Sequence, residues 1–193
     1  FSRSAPIDRK TRETEIRGNL SLEGTGQTSI HTGLGFFNHM LEQIARHGKM
    51  DLELNVRGDL DVDEHHTIED TGLALGEAFL KAIGNKRGLE RYGFSLPMDE
   101  SLAHCAVDLS GRSHLQWKVK LKRENLGDVP AEMFEHFFRS FAEAARCTLH
   151  ITAKGKNEHH KIEAVFKAFA RALKMAVQQD VYDDTLPTTK GKL

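Results

Sequence analysis

The sequence predicts an α+β fold made of two copies of one strand-strand-helix-strand-helix unit. Each copy is expected to be a mixed or antiparallel sheet with two helices on one face. Three observations predict it. Apolar residues alternate with period two in several short runs, they recur at helical spacing in four longer ones, and two segments rich in ligand-type residues occur twice in the same order.

In chain order, Ile16, Leu20 and Leu22 share one face of a strand. Phe36–Arg46 reads as a helix, Leu52, Leu54 and Val56 as the next strand, and residues 64–83 as a second helix. Cys105, Val107 and Leu109 alternate, as do Leu115, Trp117, Val119 and Leu121. Glu132–Arg146 reads as a helix and Leu149 with Ile151 as a strand. The helix predicted over 158–178 lines up Ile162, Val165, Phe166, Phe169 and Leu173 on one stripe. Glu23-Gly24, Arg57-Gly58, Lys86-Arg87-Gly88 and Ser110-Gly111 supply turn signals between these segments. Residues 1–8 read as a linker remnant, since the chain opens on Phe1 rather than Met, and 9–193 as the folded body. Within it the repeats are expected at about 9–92 and 93–181, followed by a tail over 182–193.

The duplication is visible residue by residue. FFNHMLEQIA lies on MFEHFFRSFA, setting His39 over His136; DEHHTIED lies on NEHHKIEA, setting His65, His66 and Glu69 over His159, His160 and Glu163. His39 and His65 are 26 positions apart and His136 and His159 are 23 apart, so three residues are extra in the first copy. They fall between Gly58 and His65, in a loop, where an insertion is cheap.

A net charge of −1 without long runs of one sign argues against a nucleic-acid or membrane footprint. No apolar run approaches the roughly 18 residues that span a bilayer. The only cysteines, Cys105 and Cys147, lack CxxC spacing and read as free thiols in a reducing, cytoplasmic setting. Eleven histidines in 193 residues, with clusters at the duplicated motif, direct attention to metal chemistry.

On a helix, residues i and i+4 share a face, so His65 with Glu69 and His159 with Glu163 can each grip one ion. The adjacent His66 and His160 point about 100° away. Two such helices around a pseudo-twofold axis are expected to exchange those second histidines. With His39 and His136 the set comprises six imidazoles and two carboxylates, or three nitrogens and one oxygen per ion. Without thiolate this suits Mn²⁺, Fe²⁺ or Zn²⁺, and an octahedral site with open positions leans towards Mn²⁺. Asp63 and Asn157 stand where helix N-caps belong, and Glu64 and Glu158 suit the helix dipole.

GFFNHMLEQIARHG, GDLDVDEHHTIEDTGLALGEA, DLSGR, EMFEHFFRSFA, NEHHKIEAVFKAFARAL and the terminal LPTTKGKL together resemble the imidazoleglycerol-phosphate dehydratases of histidine biosynthesis, from about Arg9 to the end. RGLERYGFSLPMDE looks most like the dehydratase portion of bacterial bifunctional proteins that carry a histidinol-phosphate phosphatase upstream. The resemblance implies a ribosomal protein S5 domain 2-like fold and a hydro-lyase in the cytoplasm. It implies two Mn²⁺ ions per active site, one held by His39, His66, His159 and Glu163, the other by His65, Glu69, His136 and His160. It also implies substrate contacts from Glu13, His39, His47, His65 and His159, with phosphate held by Arg91, Arg112, Lys167, Thr188, Thr189 and Lys190. Glu13, Glu69 and Glu163 are the implied catalytic carboxylates. The implied reaction removes water from a phosphorylated imidazole diol through the imidazolate and a diazafulvene-like intermediate. The implied assembly is a homo-oligomer, trimers building a 24-subunit shell with active sites between chains.

The sequence departs from the family at Asn38, where Asp is usual before the first metal histidine. That Asp is expected to accept a hydrogen bond from an imidazole, so Asn38 would weaken metal binding. Thr188-Thr189 replace the usual serines and keep the hydroxyls. Two other classes stay open at this stage: a metal-storage protein, which has no need for Arg91, Arg112 and Lys190 to converge, and a di-metal phosphate-ester hydrolase, which wants more carboxylates.

Overall fold

The computed structural model describes residues 3–94 and 96–193. The first half runs β1 (Ser4–Lys10), β2 (Thr14–Ser21), β3 (Thr28–His31), α1 (Gly35–Gly48), β4 (Asp51–Gly58) and α2 (His65–Ile83). The second runs β5 (Tyr92–Gly93), β6 (Leu96–Met98), β7 (Ser101–Asp108), β8 (His114–Val119), β9 (Asn125–Leu126), β10 (Val129–Pro130), α3 (Met133–Ala145), β11 (Thr148–Lys154) and α4 (Glu158–Ala176).

The sheets repeat one topology. The first has strand order β1-β2-β4-β3, with β2 antiparallel and β3 parallel to β4. In the second, order β5-β7-β11-β8, β7 is antiparallel and β8 parallel to β11, and β6 also pairs with β7. Strand alternation sends Leu52, Leu54 and Val56 inward from β4, and Ala103, Cys105 and Val107 inward from β7. Both short helices end on a left-handed non-glycine residue at matching positions, Lys49 (φ 54°) and Arg146 (φ 52°).

Helices α1 and α2 cover the first sheet, α3 and α4 the second, and the halves join helix to helix: α2 on α3, α1 on α4. The α3 stripe Phe134, Phe137, Phe138 and Phe141, at i, i+3, i+4 and i+7, is fully buried and meets Phe166 and Phe169 of α4. The α2–α3 approach is closer still. A Cβ at Gly72 would sit 2.7 Å from the Phe137 carbonyl oxygen, and one at Gly76 would sit 2.6 Å from that of Phe141, so both positions require glycine.

The structure corrects several expectations. Residues 4–8, read as linker, belong to β1: they pair with β2 and bury Ala5 and Ile7. The alternation of one polar and one apolar residue there is too short to separate from loop composition. Residues 1 and 2 of that segment lie outside the described residues. The expected boundary between 92 and 93 falls inside β5, which pairs with the second sheet. The short strands β3, β5, β6, β9 and β10 were not legible. Glu13 occupies the β1–β2 turn. The three extra residues are where the repeat put them, six residues (59–64) separating Gly58 from His65 against three (156–158) between Gly155 and His159.

Candidate metal centres and substrate pocket

The helix pairing assembles two donor triplets across the seam between the halves. His39 from α1 meets His159 and Glu163 from α4, and His136 from α3 meets His65 and Glu69 from α2. In each triplet the two ring nitrogens and the carboxylate oxygen lie within 4.8 Å of one another. The i, i+4 spacing brings His65 Nε2 to 2.8 Å from Glu69 Oε2 and His159 Nε2 to 3.2 Å from Glu163 Oε2. His136 Nδ1 lies 3.9 Å from Glu69 Oε2, and the His65 and His136 rings are 5.2 Å apart.

Local structure positions these side chains. Leu34 cannot cap α1, so Asp128 of the β9–β10 turn accepts from the N–H groups of Gly35 (2.7 Å) and Phe36 (3.1 Å). Phe36 in turn sets its ring edge-on to His159 at 5.3 Å. Asn157 caps α4, accepting from the N–H groups of His159 and His160, and Asp63 accepts from His65 N–H at 2.9 Å. Glu158 uses its carboxylate on the N–H groups of Lys122 and Arg123.

Within one chain the second histidines of the two motifs do not cross between the helices. The histidines that cross the seam are His39 and His136, while His66 and His160 join neither of these triplets and His160 groups instead with Asp99 and Glu100. Once His65 and Glu69 face the interhelical seam, the 100° step turns His66 outward, and the same holds for His160. His66 Nδ1 lies 2.8 Å from Asp59 Oδ2, and His160 Nδ1 lies 3.0 Å from Glu100 Oε2. The hydrogen bond to Asp59 raises the His66 pKa, burial opposes it, and the negative charges of Asp59, Glu13 and Asp70 reinforce it. The bond from His160 and the Asn157 N–H hold the Glu100 carboxyl down at about 2.

Two imidazole nitrogens with one carboxylate oxygen fit a divalent ion of intermediate softness. The four triplet histidines are nearly half exposed, which leaves room for further ligands or substrate. Asn38 does not behave as expected of a residue beside a metal ligand. Its Oδ1 accepts from the Thr32 backbone (2.9 Å) and hydroxyl (2.5 Å), tying the chain before α1 to the helix. An amide oxygen does this as well as a carboxylate.

Arg91, Arg112, Thr188, Thr189 and Lys190 line one open pocket of about 540 Å³, which Tyr92, Pro187, Lys192 and Leu193 complete. Arg91 adopts a left-handed backbone (φ 76°) and is clamped by Asp108 at 2.6 and 3.1 Å. It donates to the Pro187 carbonyl at 2.8 Å, which draws the tail over the pocket. Lys167 lies elsewhere, 3.3 Å from Glu163. Beside it His47, bonded to Gln43, has its pKa lowered by burial and by the charges of Lys167 and Arg171, with Glu163 opposing. The Glu13 carboxylate is exposed and makes no hydrogen bond among the described residues.

Sequence reasoning missed Asp59, Glu100, Asp108, Asp128 and Arg171. All but Asp59 act on partners well removed in sequence; the acids had only their proximity to a turn as a signal, and Arg171, inside α4, had none. Cys105 and Cys147 are free and buried, and burial pushes both thiol pKa values up. No helix among the described residues is long and apolar enough to cross a membrane.

Residues 32–173 match the family model described as imidazoleglycerol-phosphate dehydratase. The whole chain is 58% identical over 193 residues to the histidine biosynthesis bifunctional protein HisB of Spirosoma linguale, and covers 50% of it. It is 52% identical over 195 residues to the imidazoleglycerol-phosphate dehydratase of Gluconacetobacter diazotrophicus, covering 100% of this chain and 98% of that one. The chain thus spans about half the length of the bifunctional relatives it matches. Among solved structures, the imidazoleglycerol-phosphate dehydratase of Staphylococcus aureus superposes with a TM-score of 0.83 at 37% identity, over 92% of this chain and 99% of that one. The Pyrococcus furiosus enzyme gives 0.81 at 29%, over 96% and 99%. The family model, these relatives and the shared fold lead to one conclusion: the chain belongs to the imidazoleglycerol-phosphate dehydratase family.

Proposed function

We propose that this chain catalyses the metal-dependent dehydration of D-erythro-1-(imidazol-4-yl)glycerol 3-phosphate to 3-(imidazol-4-yl)-2-oxopropyl phosphate and water, a cytoplasmic step of L-histidine biosynthesis. One observation carries the reading: two nitrogen- and carboxylate-bearing triplets coexist with a pocket where Arg91, Arg112 and Lys190 converge. A storage protein needs the first feature and not the second. A phosphate-ester hydrolase is disfavoured by only one carboxylate per triplet.

His39, His159 and Glu163 would hold one Mn²⁺, and His65, Glu69 and His136 the other, giving two ions per active site. When bound, the metal supplies Lewis acidity towards the substrate imidazole. The chain's residues do the rest. Arg91, Arg112, Thr188, Thr189 and Lys190 bind the phosphate, and Lys167 and His47 add cationic or polar contacts beside Glu163. This fixes the diol relative to the ring. The hydroxyl leaves from the carbon attached to the ring and a proton from the next carbon, and the resulting enol tautomerises to the ketone. Glu13, exposed and without a hydrogen-bond partner among the described residues, is the proposed acid/base for these transfers. Glu69 and Glu163 serve first as ligands and only secondarily as proton carriers.

His66 and His160 face outward, which supports a site completed between chains of a homo-oligomer, trimers assembled into a 24-mer. Turnover of imidazole glycerol phosphate with and without Mn²⁺, run beside a mass measurement of the assembly, tests the reading. Metal-dependent formation of the ketone without phosphate release is expected. Phosphate release in its place would support the hydrolase, and bound metal without turnover would support storage.

A further inference from the structure

The two histidines left out of the triplets are held in the same way. Asp59 Oδ2 faces His66 Nδ1 and Glu100 Oε2 faces His160 Nδ1. An ionised carboxylate only accepts hydrogen bonds, so each Nδ1 carries the proton. In the neutral ring the lone pair is then on Nε2, the atom directed away from the carboxylate.

The two carboxylates are not equivalent in the repeat. Ile16 pairs with Val56 in the first sheet and Ala103 with Ala153 in the second. Leu52, Leu54 and Val56 correspond to Leu149, Ile151 and Ala153, so Ile16 corresponds to Ala103 and Glu13 to Glu100. Asp59 belongs to the loop that is three residues longer in the first half. In the second half, therefore, the position of Glu13 is committed to His160. In the first half the longer loop delivers Asp59 to His66 and leaves Glu13 unbonded. The two holders are supported differently. Glu100 Oε1 accepts from the Asn157 N–H and the Ser101 hydroxyl. Asp59 has its other oxygen buried without a partner among the described residues, which leaves His66 as its hydrogen-bond partner there.

We propose that Asp59 and Glu100 are positioning residues that fix His66 and His160 as Nδ1–H tautomers and present Nε2 to a divalent metal, and that Asp59, carried by the longer loop, releases Glu13 for the substrate. This rests on the metal reading above. Orienting carboxylates of this kind typically account for about 10–100-fold in metal affinity.

The test is Mn²⁺ titration of the full chain, with free ion read by electron paramagnetic resonance and folding by thermal melting. Asp59→Ala and Glu100→Ala are each expected to lower affinity by about 10–100-fold for part of the bound Mn²⁺. Asp59→Asn and Glu100→Gln keep an acceptor oxygen and are expected to recover most of it. Glu13→Gln is expected to bind Mn²⁺ as wild type does. Asp59→Leu, which fills the same space, replaces an Asp59→Ala that does not fold, with the same expectation. Folded Ala variants with wild-type affinity overturn the proposal, as does a Glu13→Gln loss equal to that of Glu100→Ala. A wild-type chain that takes up no Mn²⁺ overturns the metal reading itself, whereas a binding wild type beside unaffected variants overturns this proposal alone.

Discussion

Lys167 stands 3.3 Å from Glu163 in one donor triplet, whereas the corresponding position beside Glu69 in the other triplet is Leu73. Setting His65 on His159 likewise places Glu77 opposite Arg171, and setting His39 on His136 places Ala144 opposite His47. Glu163 is nearly enclosed, its side chain 11% exposed against 38% for Glu69. The duplication has kept the donors and changed what surrounds them. Losing one donor would cost a metal its grip, whereas a neighbour one turn along the helix is free to change. As a result the Glu163 triplet has a lysine paired to its carboxylate, whereas in the other half Leu73 takes the place of that lysine and Glu77 is paired with Arg9 at 3.1 Å.

The comparison can be broken most sharply at the donors. His65→Ala and His159→Ala each remove one triplet, and both are expected to abolish turnover and lower bound metal, measured by assay and metal analysis. Turnover surviving in either variant would show that the triplets are not both needed. Next in size is the helix seam. Gly76→Leu forces α2 away from the Phe141 carbonyl and is expected to cost about 2–3 kcal/mol, read as a lower melting temperature. At the corresponding place in α4, Ala170 already carries a Cβ, and Ala170→Gly should cost about 1 kcal/mol or less.

The asymmetry around the carboxylates predicts a smaller effect on binding. Lys167→Met should lose about 1.5 kcal/mol of charge-assisted contact, roughly a tenfold rise in KM. Leu73→Met should leave KM unchanged; equal shifts in both variants would deny that one triplet is specialised. The smallest effect concerns acid stability. Asp51 accepts from the N–H groups of Gln27, Thr25 and Gly26, and these bonds, with the Gln27 bond foremost and desolvation opposing, lower its pKa from 3.8. A depressed carboxylate contributes stability above its unfolded pKa, and that contribution is lost as pH falls through the lower folded value. Asp51→Ala should cost about 1 kcal/mol at pH 7 and progressively less below pH 3.8. The second half has Thr148 at this position, its hydroxyl donating to the Arg112 carbonyl, so Thr148→Ala should show no such acid dependence.

Much of this molecule could be read before any coordinates. The four helices and the strands β2, β4, β7, β8 and β11 follow from periodicity because their large apolar residues recur on one face, even in α4, which is buried nearly all round. The repeat gave the two ligand sets their pairing in sequence, and Arg91, Arg112, Thr188, Thr189 and Lys190, implied by resemblance, do line one pocket. The failures share a cause. Strand β1 offers only Ala5 and Ile7 as alternating apolar residues, the two-residue strands are too short to carry a period, and Asp128, Asp108 and Arg171 act on partners brought near only by folding.

What the sequence by itself determined is the duplicated α+β pattern and the donor types: i, i+4 spacing dictates that His65 joins Glu69 and His159 joins Glu163 whatever the surroundings. Only the tertiary structure decided which histidine crosses between the halves. Packing α1 on α4 and α2 on α3 sends His39 and His136 across and turns His66 and His160 out to Asp59 and Glu100. Periodicity fixes the direction of a side chain relative to its own helix. Which partner lies in that direction depends on how the helices that cover the two sheets pack on one another, α1 on α4 and α2 on α3.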